Sequence, residues 1–182
     1  MNDSLTQLID FLIQGGREWI RTSQAKHRPD GRALTEDEVQ AVGAFFPAPL
    51  LAHARVAEVP IIENPPFYAD LQRLGMQIPL DFTIMAGITF EDTIVVSTQM
   101  KHGTPWIGLL FHELVHVVQY SILGIDEFIN RYVMGWAANG QRYENIPLER
   151  NAYSLDTRFS SAPSIPFDVR GEVAAFLQQP AS

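Results

Sequence analysis

Between Gly108 and Tyr120 the chain reads GLLFHELVHVVQY, and this segment constrains the fold more than any other. Trp106, Ile107, Leu109, Leu110, Phe111, Leu114, Val115, Val117 and Val118 stand on almost every side of a helical projection, so a helix here is a buried one. His112, Glu113 and His116 go inside with it, and three buried polar groups in little more than one turn need a shared solution. Residues i and i+4 lie on one helix face, which lets both imidazoles reach one ion. Neutral imidazole suits zinc, whose catalytic sites take three protein ligands and leave a fourth position to water. Such water loses a proton near neutral pH, and Glu113, next round the helix, is placed to accept it. HExxH is the short signal for this chemistry. The competing arrangement pairs both histidines with backbone and Glu113 with an Arg or Lys, and must satisfy all three groups without an ion.

Thr104-Pro105 reads as an N-cap followed by proline at the first helical position, and Gly124 as the helix stop. The third ligand lies elsewhere. The chain has no cysteine, which excludes thiolate ligands and a Cys nucleophile. Gln119 and Ile122 stand where the extended HExxHxxGxxH pattern needs glycine and histidine. An acidic residue on a following helix remains. DEFINRYVMGWAANG reads as a second helix, with Asp126 as its N-cap and Gly140 as its stop, and Glu127 on its surface. Pro147 starts a third, with Glu149 in its first turn on the face of Ala152 and Tyr153. The small Ala152 permits close approach to the motif helix. Glu149 is the expected third ligand, and Glu144, in the connection before Pro147, is its competitor.

FHELVHVVQY, the helix after it and YENIPLERNAY together resemble the bacterial metallopeptidase domain associated with extracellular contractile injection systems. The motif helix of that domain reads much like HELTHVVQ, and its members resemble the glutamate-ligated zincins. The likeness runs from Ala86 to Tyr153 and includes AGITFEDTIVVS. It implies His112, His116 and Glu149 as zinc ligands, Glu113 as catalytic base, and an α+β, zincin-like fold, mostly helical with a small β-sheet beside the HExxH helix. In one place the chain departs from the better-known glutamate zincins, which often carry an acidic residue four positions after the glutamate ligand. Tyr153 stands there, leaving Asn151 or Asp156 to orient a metal-bound histidine.

Asp81 to Thr98 is the clearest β region: Ile84, Ile88 and Phe90 form one run, Thr93 to Val96 another, and Glu91-Asp92 the turn. A strand there can pair with an extended peptide or simply cover the core. His102, in the loop before the motif helix, Tyr143 and Tyr153 are candidate donors to a developing oxyanion. His27 and His53 read as surface or half-buried. The N-terminal apolar pattern is interrupted at Gly15-Gly16, which predicts one broken helix or two short ones. Ser23 to Ala33 reads as a loop, and Thr35 with Glu38 as a capping box ahead of a Val39, Val42, Phe45, Phe46 stripe that ends at Pro47. The stretch after it reads as loop-rich, with a short edge strand around Val56 to Ile62, where Pro60 allows only an edge. A short helix is expected from Tyr68 to Leu74 with Gly75 as stop, and a last one from Pro166 to Gln179, packed by Val169, Val173 and Phe176, before a loose PAS tail.

A single domain over 1–182 is expected, with an N-terminal helical part (1–46) and a catalytic core (81–159). Its 182 residues, 46% hydrophobic, suffice for a substantial core. A net charge of −8 and a pI near 5.0 argue against nucleic acid as a partner. No run reaches the roughly 18 apolar residues of a membrane span, so no transmembrane segment is expected. The N-terminus lacks signal-peptide features, which predicts a cytoplasmic protein and equally fits export without a cleaved leader. The expected function is zinc-dependent hydrolysis of a peptide or protein substrate. The alternatives are a metal-stabilised binding or structural module, and a delivered effector with the same chemistry.

Overall fold

The computed structural model describes residues 3–75, 80–100 and 105–179. Among them the elements run α1 (Asp3–His27), α2 (Glu36–Val42), α3 (Ala48–His53), β1 (Arg55–Val59), α4 (Tyr68–Arg73), β2 (Gly87–Phe90), β3 (Thr93–Ser97), α5 (Trp106–Ala138), α6 (Pro147–Ser161) and α7 (Val169–Leu177). The class is α+β, mostly helical with one small sheet. His102, Thr104 and the PAS tail lie outside the described residues.

The all-round apolar segment is the first part of α5, and every residue from Leu110 to Tyr120 is buried. Gly124 adopts φ 68°, ψ 174°, a conformation open almost only to glycine, and divides α5 into arms 106–123 and 125–138. The second arm ends at Ala138, and Gly140 follows at φ 79°. By length and composition α5 is apolar enough to cross a membrane, but most of it is covered by the rest of the fold. The Asp126 carboxylate turns to Arg17 and Arg21 of α1, at 2.6 and 3.4 Å, so it joins two helices. Glu127 pairs with Arg131 at the surface. Pro147 occupies the first turn of α6, where its missing N–H costs nothing, and the fully buried Ala152 brings α6 against the first arm. Val169, Val173 and Leu177 turn α7 inward. That helix is shorter than expected because Phe167, still outside it, packs its ring on Phe45.

β3 is buried throughout and lies between parallel β1 and antiparallel β2, in the order β1-β3-β2. Glu91, at φ 57°, makes the β2–β3 turn. β1 is an edge strand, but it stops at Val59, so Pro60 lies just outside it and the strand does not reach Ile62. Ile84 is not in a strand. Asp81 accepts from the Thr83 N–H and starts a short 3-10 turn over Phe82–Ile84, so β2 begins only at Gly87 and Ile84 is 65% exposed.

The N-terminal expectations fail where distant residues intervene. α1 runs unbroken through Gly15-Gly16 to His27, which shortens the loop expected from Ser23. These glycines permit close approach: a Cβ would lie 2.7 Å from the Phe67 ring at Gly15 and 2.7 Å from the Ile129 side chain at Gly16. α3 was not expected; Pro49 lies in its first turn, where proline is tolerated. The capping box between Thr35 and Glu38 forms. Val39 departs from the stripe and is 40% exposed, because the inward face of two-turn α2 consists of Glu38 and Val42. Glu38 also accepts from both terminal nitrogens of Arg32 and from Trp106 Nε1, each at 2.7 Å, which ties α2 to the start of α5.

Candidate metal centre

The i, i+4 spacing places His112 and His116 on one face of the first arm, and α6 brings Glu149 against them. All three are buried. The two Nε2 atoms are 3.1 Å apart, and Glu149 Oε2 lies 3.4 Å from that of His112 and 3.3 Å from that of His116. Ligand atoms about 2.0–2.2 Å from one tetrahedral ion are about 3.3–3.6 Å from each other, close to the size of this triangle. Glu149 Oε2 is buried with no hydrogen-bond partner. Burial alone would push Glu149 up, but His116 and His112 outweigh it and hold the carboxyl well below its usual range. Burial likewise opposes protonation of His116, and Glu149 with Gln119 outweighs it, raising that imidazole to about 9. Two imidazole nitrogens and a carboxylate oxygen gathered this closely could together hold a metal ion.

A second layer of side chains fixes these ligands. Tyr132, on the second arm, donates to Glu149 Oε1 at 2.8 Å. The Gln119 amide nitrogen donates to Leu148 O (3.0 Å) and Asn151 Oδ1 (3.1 Å), which leaves its Oε1 to accept from His116 Nδ1 at 2.9 Å. That arrangement turns Nε2 toward the cluster, where loss of its proton would free a lone pair for an ion. Asn151 thus acts on His116 through Gln119. Asp156 is raised by burial and opposed by the charge of His112, which it neighbours. Gln119 and Tyr132 were missed from sequence. Gln119 was legible only as i+3 from His116, and nothing local marked Tyr132.

Tyr153 lays its half-exposed ring on His112, with centroids 4.5 Å apart. Tyr143 lines one cavity with His116 and Glu149, and burial first, then Glu149, raise its hydroxyl pKa. Glu144, the competing ligand, is exposed and paired with Arg142. His53 is exposed and His27 half-buried, and neither belongs to the cluster.

Glu113 is the neighbour of the first histidine and faces β2. Strand alternation aims positions 87 and 89 at it. Thr89 Oγ1 donates to Glu113 Oε2 at 2.7 Å, while Gly87 offers no side chain; a Cβ there would lie 2.6 Å from Oε1. Burial raises the Glu113 pKa against the opposing pull of both histidines and Thr89, which favours a carboxylate able to take up a proton. Beside Glu113, His116 and Glu149 opens a cavity of about 100 Å³ walled largely by aromatic and aliphatic side chains from α1, β2 and the second arm.

Comparison with protein families, curated proteins and solved structures finds no match to this chain. The chemistry of the site is therefore its own guide: three donors converge on one point, and a separate, hydrogen-bonded carboxyl group lies beside them.

Proposed function

We propose that the protein is a zinc-dependent peptidase with a zincin-like fold, akin to the metallopeptidase domain of contractile injection systems. The observation that carries this is the convergence of His112, His116 and the unpartnered Glu149 Oε2 next to a fourth polar group, Glu113, that is not one of the three. Two imidazole nitrogens and a carboxylate oxygen suit zinc. Zinc bound there would acidify water and polarise a substrate carbonyl.

The chain's own residues do the rest. Thr89 occupies Glu113 Oε2, so Oε1 accepts the proton of the attacking water and later delivers it to the leaving amine. Gln119 and Tyr132 hold His116 and Glu149 in place. Among the described residues, Tyr153, against His112, and Tyr143, which lines the cavity with Glu149, are candidate donors for the oxyanion. β2 pairs with β3 along one side only, and among the described residues no strand covers its other side, which suits an extended peptide. Peptides or proteins are the proposed substrates.

Metal analysis of gently purified protein should find about one zinc per chain. Glu113→Gln should keep the metal and lose hydrolysis of unfolded proteins and peptide libraries. A fully metallated wild-type chain that cleaves none of them would replace the peptidase with a metal-stabilised binding module.

A further inference from the structure

Trp136, on the second arm of α5, forms part of the wall of the cavity that Glu113, His116 and Glu149 also line. Its indole is 6% exposed, and Nε1–H is buried without a hydrogen-bond partner. An unsatisfied buried donor is costly, and something that enters the cavity can relieve it. The cavity is also lined by Trp19, Ile20, Phe67, Phe82 and Ile129. A cavity of about 150 Å³ admits benzene, so about 100 Å³ suits the three or four heavy atoms of a mid-sized aliphatic side chain.

We propose that this cavity receives the side chain of the substrate residue next to the cleaved bond, and that Trp136 Nε1–H makes it select methionine over the all-carbon isostere norleucine. The proposal rests on the peptidase assignment only for which molecule brings that side chain. Leucine fills the volume and leaves the indole unpaired. Glutamine brings an acceptor but also a strongly hydrated amide, whose desolvation a largely apolar wall repays less well than that of a thioether. Methionine carries an acceptor without a donor on a flexible stem, and its sulfur makes favourable contacts with aromatic rings such as those of Trp19, Phe67 and Phe82.

The test is titration of N-acetyl-methioninamide, N-acetyl-norleucinamide and N-acetyl-leucinamide into the metal-free and the zinc-loaded protein. The readout is the indole ¹H–¹⁵N resonance of Trp136, one of three tryptophans, assigned with Trp136→Phe. The methionine amide should shift that resonance and bind about two- to tenfold more tightly than the norleucine amide. Trp136→Phe should erase the difference, and Val133→Phe, which fills the cavity, should remove binding of all three. Equal binding of methionine and norleucine by the wild-type chain, or a wild-type spectrum in which none of the three indole resonances moves, overturns the proposal even if neither variant folds. Should the amides bind as expected while no peptide is cut, the peptidase assignment fails and the cavity assignment stands. Cleavage indifferent to methionine with an unresponsive indole gives the reverse result.

Discussion

Gly87→Ala tests whether Glu113 is held where the chemistry needs it. The added Cβ would lie 2.6 Å from Glu113 Oε1, 3.1 Å from Cδ and 3.2 Å from Cγ. Normal contact requires a retreat of about 0.5–1 Å. Glu113 has little room to give, because Thr89, two residues along the same strand, grips its other oxygen at 2.7 Å. Overpacking of this kind costs about 1–3 kcal/mol. Replacing glycine lowers the entropy of the unfolded chain and returns about 0.4–1 kcal/mol. The clash wins, for a net loss of about 1–2 kcal/mol, or roughly 2–8 °C in melting temperature for a chain of this size. A misplacement near 1 Å also costs up to about a hundredfold in rate, so hydrolysis should fall by one to two orders of magnitude with zinc content unchanged. In a Glu113→Ala background the space is vacant, and the same glycine replacement should be neutral or stabilising. Calorimetric melts of the four proteins in this cycle decide the matter. If Gly87→Ala melts at or above the wild-type temperature with Glu113 intact, the carboxyl group is not fixed against β2 and the geometry assigned to it is wrong.

His112→Ala and Glu149→Ala should each empty the metal site, whereas Glu144→Ala, at an exposed position, should retain about one zinc per chain; elemental analysis giving the reverse for the two glutamates would reassign the third ligand. Tyr132→Phe removes the hydroxyl that orients Glu149 and should weaken zinc affinity about 10- to 100-fold in chelator competition; an affinity within twofold of wild type would show that this hydrogen bond does not position the ligand. Burial raises the Glu38 pKa, but Arg32, Thr35 and Trp106 outweigh it and hold it at about 2, below its unfolded value near 4.5. The stabilisation is thus complete above about pH 4.5 and lost as pH falls through about 2, an upper bound of about 3 kcal/mol that Glu38→Gln should remove; parallel stability curves for the two proteins across that window would rule the network out as its source. Chelation should lower the melting temperature and leave a cooperative transition, since binding at a thousandfold excess over Kd adds about 4 kcal/mol to a chain that has an extensive apolar core of its own; loss of the folded signal at room temperature would make the metal a structural necessity.

What could be read from the sequence was what neighbouring residues decide. The buried arm with its two histidines, the stop at Gly124, the start of α6 at Pro147 and the turn at Glu91-Asp92 each rest on periodicity or on one residue's backbone preference. Gly15-Gly16 misled because the reason for those glycines lies far along the chain, in Phe67 and Ile129. Ile84 looked like a strand residue until Asp81 captured the Thr83 N–H and turned the backbone. At the site, HExxH marked His112, Glu113 and His116 by spacing alone, and Glu149 followed from helix phase. The groups that hold them did not: Thr89 and Gly87 depend on which strand face meets α5, and Tyr132 on how the second arm returns past α6. Glu38 was legible as a cap and illegible as the partner of Trp106.

Laid out straight, the 33 residues of α5 would make a rod about 50 Å long, far beyond the roughly 30 Å of a bilayer's hydrocarbon core. Gly124 turns that rod into an elbow. The arm before it carries the two histidines, and the arm after it carries Tyr132 and Trp136, so both sides of the bend serve one pocket. Apart from the adjoining backbone, no atom of the described residues lies within 4 Å of where a Cβ at 124 would sit, so a larger residue there would have space and still be opposed by its own backbone. Relaxing that backbone into a helix would swing Tyr132 away from Glu149 and bring an apolar flank out to solvent. One residue without a side chain thus sets the angle at which the most apolar helix of this polypeptide folds back on its own core.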